Sequence, residues 1–380
     1  MQEVYITKVA KFLPNELVQN DEMELYLGLI NGKPSKSRRI VLRNNGIQGR
    51  YYALTKEGQT THTNAQMVAL AVKELFTECP ENIKSVELLC CGTSTPDQMM
   101  PSHAVMVHGY LPESNSIEVV SPSGVCCSGM HAFKYAYLSV LSGDKSKAVC
   151  TGSERVSRLL KADTFDAEAE KIEQLNNDPY IAFEKDFLRW MLSDGAGAFL
   201  LENKKNENGI SLKVEWIEAI SYANTMESCM YMAAEKNEDG TLKSYMDHYP
   251  SDILDKSLLS IKQDVKLLSE YIVKLGFSKL KDILAKRNFD VNDINHFLPH
   301  ISSYFFEDKI ARILDENGIS IPKEKWFTNL RTKGNIGSGS IYIMCEELFN
   351  SGKLKKGETI LFAVPESSRF SYVFCLLTVA

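Results

Sequence analysis

Val125-Cys126-Cys127-Ser128-Gly129 opens a helical apolar pattern (Met130, Phe133, Tyr137, Leu138, Leu141) that stops at Ser142-Gly143, crosses a charged turn and enters the strand-like Ala148-Val149-Cys150-Thr151. Gly334-Asn335-Ile336-Gly337-Ser338-Gly339 does the same in the second half: a helical pattern (Ile341, Met344, Leu348), a stop at Ser351-Gly352, a lysine-rich turn, and Ile360-Leu361-Phe362-Ala363-Val364. Cys127 precedes its Ser142 by 15 residues, and Asn335 precedes its Ser351 by 16. Self-similarity of this kind predicts a duplicated unit, in which Cys127 and Asn335 hold matching places at helix N-termini around a shared centre.

Working outward, further short apolar runs alternate with helical patterns: Val86 to Cys91, Ile117 to Ser121, Gly197 to Glu202, Ile294 to Leu298, Trp326 to Asn329 and Ser371 to Val379. Runs apolar at every position suit strands covered on both faces, so the spacing predicts an α/β chain with parallel pairing and helices over the sheets. We divide it into an N-terminal half, residues 1–205, carrying the cysteine, and a C-terminal half, residues 206–380, carrying Asn335 and a rim histidine. Two longer stretches interrupt the pattern. Lys161 to Trp190 is polar and acidic, while Ile220 to Arg287 has a methionine cluster (Met226, Met230, Met232) and a helical spacing through Leu258, Ile261, Val265, Leu268, Ile272 and Leu275. The methionines suit either core packing or the wall of a flexible acyl tunnel.

The bulk properties narrow the function. The chain has 380 residues, is 44% hydrophobic and carries a formal net charge of -6, which supplies a large core and no basic surface for nucleic acid. No run reaches the roughly 18 apolar residues of a membrane helix, and the N-terminus enters a strand pattern without a basic or long apolar leader, so a cytoplasmic protein is expected. Nine cysteines fall without a C-x-x-C pair, which suits neither a zinc knuckle nor a disulfide framework.

Among them, Cys127 stands at a helix start, where unpaired N–H groups can stabilise a thiolate, draw its pKa down from roughly 8.5 towards 7, and hold an oxyanion. Cys126 points elsewhere and is expected to pack. His300, in Phe297-Leu298-Pro299-His300, follows a strand at the rim where α/β proteins build sites. The other six histidines are read as structural. Asn335 offers an amide donor that complements an imidazole on one oxygen. Its glycine-rich turn could alternatively cradle phosphate, although no Lys-Ser or Lys-Thr follows and G-x-G-x-x-G is not matched.

With these residues in order, the whole chain resembles the β-ketoacyl-acyl carrier protein synthase III group of the thiolase superfamily. Gly46-Ile47-Gln48-Gly49-Arg50, Cys127-Ser128-Gly129, Asp194-Gly195-Ala196-Gly197-Ala198, Pro299-His300 and Gly334-Asn335 are similar to its successive motifs. The resemblance implies a five-layer α-β-α-β-α thiolase-like fold, a homodimer, and a ping-pong condensation of acyl thioesters through acyl-Cys127. His300 and Asn335 would stabilise the second substrate's enolate, and the N–H groups of Cys127 and Ser368 would hold the oxyanion. It implies no metal or other cofactor, since the acyl groups ride on phosphopantetheine. Acyl carrier protein is favoured over coenzyme A because Asn44 replaces an arginine, and Met100 would enter the partner subunit's acyl pocket.

One departure stands out. Where the family has glycines, this chain reads Glu366-Ser367-Ser368-Arg369-Phe370. We expect Glu154 and Arg369 to converge beside the triad as an acid/base or an ion pair, an arrangement similar to ketosynthase/cyclases that make dialkylresorcinol precursors. The alternative is a housekeeping synthase III using malonyl carrier protein. A degradative thiolase lacks its second cysteine turn here, a 3-hydroxy-3-methylglutaryl synthase would need Glu154 as base, and a non-catalytic acyl-binding subunit would not need all three polar residues.

Overall fold

The computed structural model describes residues 2–35, 37–164 and 188–380. Among them, one mixed sheet of nine strands runs through the chain: β1 (Tyr5–Phe12), β2 (Leu88–Thr93), β3 (Glu118–Val120), β4 (Lys147–Glu154), β5 (Gly195–Glu202), β6 (Leu212–Ser221), β7 (His296–Pro299), β8 (Thr359–Glu366) and β9 (Ser371–Val379). Their spatial order is β7-β8-β9-β6-β1-β5-β4-β2-β3.

The duplication is written in that order. In the first half β3-β2-β4 are parallel, β5 joins antiparallel, and β1 closes the row. In the second half β7 and β8 are parallel, β9 joins antiparallel, and β6 closes the row; Trp326 takes the place of the outermost strand, bridging Phe297 in parallel. The two rows meet only at Tyr5 and Ile6 of β1, which pair with Lys213 and Leu212 of β6.

The apolar runs are continuous because each strand feeds two cores. In β2, Leu89 and Cys91 face the first outer helix layer, α1 (Asn64–Glu74) and α2 (His103–Gly109), while Leu88 and Cys90 face the centre. In β8, Ile360, Phe362 and Val364 face the centre, while Leu361 and Ala363 face the opposite outer layer, α4 (Val265–Lys286) and α5 (Glu307–Glu316). Two helices fill the centre, α3 (Ser128–Ser142) and α6 (Ser340–Phe349). The layers are therefore helix, sheet, helix, sheet, helix, the thiolase-like arrangement.

Three local readings need correction. The helical spacing from Leu258 does not extend that far back, because Asp264 accepts the N–H of Leu267 with its side chain and starts α4 at Val265. Trp326 to Asn329 supplies a single bridge in place of a strand. β6 was not anticipated, although Leu212, Val214 and Trp216 alternate with Lys213 and Glu215 along it.

Candidate active site

The centre of the site is the seam between α3 and α6. A methyl placed on Gly152 would lie 2.2 Å from the Ser338 carbonyl oxygen, and one on Gly129 would lie 2.5 Å from the same atom. Glycine at both places lets the turn before α6 rest on the end of β4 and the start of α3. Asp194, of the D-G-A-G-A stretch, braces this region: its buried carboxylate accepts the N–H groups of Ala53 (2.7 Å), Val156 (2.7 Å) and Ser157 (2.9 Å).

His300 and Asn335 meet at one cavity. His300 is anchored by its N–H to Ala363 O (2.8 Å), and its Nε2 is buried without a partner among the described residues. Burial pulls its pKa down to about 4, so the ring is neutral near pH 7. Asn335 is locked by Met191 and Ser193, which exchange backbone bonds with it at 2.9 Å, and its Oδ1 accepts the N–H of Gly337 at 2.9 Å. That leaves the amide hydrogens of Asn335 as donors. The remaining walls are apolar: Leu268, Ile272, Val273 and Phe277 from α4, Phe306 and Ile310 at α5, with Met191 and Met230. Met230 thus lines the cavity, whereas Met226 packs against the core and Met232 is exposed. Gln263 and Ser367, unnoticed in the sequence, add polar groups to the lining. Most of the acidic stretch from Lys161 to Trp190 lies outside the described residues.

The cysteine turn departs from expectation. Cys126, read as packing, lines the cavity; Cys127 is fully buried behind it, with its thiol donating to Val364 O at 3.2 Å. The Cys127 N–H, one of the two expected to hold the oxyanion, is already taken. Glu366, at the end of β8, accepts the N–H of Cys127 at 2.8 Å and of Val125 at 2.9 Å on one carboxylate oxygen. Burial, then the Glu366 charge, push the Cys127 thiol well above its ordinary value, so the resting group is a thiol instead of the lowered-pKa thiolate predicted from the helix start.

Glu154 and Arg369 do not converge. Arg369 is exposed and donates from Nε to Met226 O at 2.6 Å. Glu154 is buried among hydroxyls, accepting Ser94 Oγ (2.6 Å), Thr95 Oγ1 (2.8 Å), Ser338 Oγ (2.9 Å) and Ser338 N–H (3.2 Å). The sequence aligned the wrong pair. The repeat equates Glu154, last residue of β4, with Glu366, last residue of β8, and each caps the turn before the other half's central helix. Ser368 contributes its hydroxyl to Glu366 (2.5 Å) and its carbonyl to the N–H groups of Cys229 and Met230. Met100 is 86% exposed beside exposed Met99. No helix among the described residues is long and apolar enough to cross a membrane.

Comparison with known proteins agrees with this architecture. Residues 284–364 match the family described as 3-oxoacyl-[acyl-carrier-protein] synthase III, C terminal. The β-ketoacyl-[acyl-carrier-protein] synthase III of Rickettsia typhi is 24% identical over 353 residues, covering 93% of this chain and 92% of that enzyme. The Clostridium perfringens enzyme of the same name is 24% identical over 366 residues, 95% of each. Among solved structures, the tetronic acid condensing enzyme AbyA1 superposes with a TM-score of 0.74 at 18% identity over 99% of both chains. A Xanthomonas campestris OleA crystallised with lauric acid and lauroyl-CoA gives 0.74 at 16% identity, again over 99% of both.

Proposed function

We propose that this chain, a thiolase-fold relative of the β-ketoacyl-[acyl-carrier-protein] synthases III, is an acyltransferase that condenses acyl thioesters in the cytoplasm through an acyl-Cys127 intermediate. The observation that carries the reading is the convergence of a neutral His300 and the Asn335 amide on an apolar cavity beside the Cys126-Cys127 turn. Two uncharged hydrogen-bond donors in a largely apolar pocket suit an enolate oxygen, whose charge they stabilise. The apolar walls suit an acyl chain, and transfer of this kind balances without a metal or redox cofactor.

The donor is carrier-bound in this reading, which rests on the resemblance, Asn44 standing where the family carries an arginine for coenzyme A; the exposed Met99 and Met100 would be covered in a homodimer. Joining a β-ketoacyl thioester to a second chain followed by ring closure is the finer reading. It rested on a Glu154–Arg369 pair that does not form, and decarboxylative condensation with malonyl carrier protein fits the same cavity. Incubation with an acyl thioester, followed by intact-mass analysis, should give a hydroxylamine-sensitive adduct mapping to Cys127. An adduct on Cys126, or none, would refute the assignment. Carbon dioxide release from malonyl carrier protein in the complete reaction then separates the two condensations.

A further inference from the structure

Glu366 sits where a condensing enzyme needs open N–H groups. The residue is 5% exposed, one carboxylate oxygen accepts both the Val125 and the Cys127 N–H, the other accepts Ser368 Oγ, and no cation pairs with it among the described residues. A methyl on Gly124 would stand 3.4 Å from that carboxylate, so the turn closes around it. Hydrogen bonds to an ionised acceptor are about twice as strong as neutral ones. A thioester carbonyl, which is uncharged until the transition state, therefore competes poorly for the same donors.

The flanking residues indicate what could shift the balance. Pro365 and Ser367, on either side of Glu366, both line the acyl cavity. The segment then turns through Phe370 at φ 60, a left-handed conformation that costs a non-glycine residue energy. A chain long enough to press on Pro365 and Ser367 acts on the backbone that carries the carboxylate.

We propose that Glu366 is an internal anion seated in the cradle the substrate carbonyl must occupy, displaced when an acyl chain fills the adjoining cavity, so that it selects long acyl thioesters over short ones. The inference rests on acyl-Cys127 being the intermediate. In the empty enzyme the cradle is occupied and Cys127 is protonated, which also protects it from adventitious acylation. Apparent affinity for short donors falls by the small fraction of molecules with the cradle open. Glu154, the counterpart on β4, is fully engaged by three hydroxyls and carries no such role.

The test compares the wild type with Glu366→Gln and Glu366→Ala, using acetyl and octanoyl N-acetylcysteamine thioesters, which need no carrier docking. Single-turnover loading is followed by intact mass, and iodoacetamide alkylation of Cys127 by peptide mass. The wild type should load octanoyl at least tenfold faster than acetyl. In Glu366→Ala acetyl loading and alkylation should each rise tenfold or more, the chain-length ratio should collapse, and sodium formate should restore the block by refilling the cradle. Glu366→Gln, which keeps an acceptor oxygen without the charge, should fall between, and gives the same reading if the alanine variant does not fold. Acetyl loading that is unchanged or slower in the folded variants overturns the proposal. Failure of the wild type to form any Cys127 adduct would instead refute the acyl-cysteine reading beneath it.

Discussion

Replacing Gly92 by alanine places a methyl on β2 that would lie 2.2 Å from Ser128 O, 2.3 Å from Ser128 C and 2.6 Å from Gly129 N, all backbone of the first turn of α3. Carbon atoms rest at about 3.5 Å or more, so the helix start must retreat from the strand by roughly 1.2 Å, the difference between 3.5 and 2.3. None of the three atoms belongs to a flexible side chain that could rotate away. Overpacking of this kind costs about 1–3 kcal/mol, and a displacement of about 1 Å at the nucleophile costs about 100-fold in rate. We expect urea unfolding to show that loss of stability, and single-turnover acylation of Cys127 to slow by about two orders of magnitude in the folded fraction. Gly109→Ala is the control, because nothing lies within 4 Å of its added methyl. A Gly92→Ala protein within about 0.5 kcal/mol of the parent, loading Cys127 within twofold, would refute the claim that close backbone contact positions the thiol.

Glu154→Ala strands the hydroxyls of Ser94, Thr95 and Ser338 and the Ser338 N–H, so it should destabilise by about 3 kcal/mol in urea titrations, with Glu154→Gln costing about 1; full stability with lost condensation would restore the acid/base role instead. Arg369→Ala should leave stability within about 0.5 kcal/mol and kcat/KM within twofold, and a large loss of condensation would revive the ion pair. His300 and His103 are both drawn down to about 4 by burial, below the unfolded value near 6.5. Their stabilisation is thus complete above about pH 6.5 and lost as pH falls towards 4, roughly 2 kcal/mol each by pH 5. Urea midpoints measured from pH 7.5 to 5 should fall less steeply in His300→Asn; an identical slope would count against a buried neutral ring.

What the sequence disclosed followed from local chemistry repeated twice. The turns at Cys127 and Asn335, the Gly143 and Gly352 stops and the apolar strands behind them are short-range signals, and the paired rows of five and four strands follow from them. The alternation through Leu212, Val214 and Trp216 was legible as well, and only its position between the halves obscured it. The identity of the residue facing the nucleophile was not legible. Glu366 reaches Cys127 across 239 positions, through the way two rows of strands enclose two helices, and no periodicity records that. Arg369 looked meaningful because it replaced glycine; the glycine replacement that matters is three residues earlier, at Glu366. Cys126 and Cys127 could not be ranked by exposure from sequence, since a single peptide's orientation decides which thiol meets the cavity.

The exchange of carboxylates between the halves bears on how such a chain can be divided. Severed near residue 205 and produced as two polypeptides, each fragment would hold a helix lacking its acidic lid and an acid keeping only the donors of its own half, Ser94 and Thr95 for Glu154 and Ser368 for Glu366. Mixed together they would restore both contacts in one event. The halves of this protein are copies in shape and complements in chemistry, and that dependence ties the lineage of one to the survival of the other.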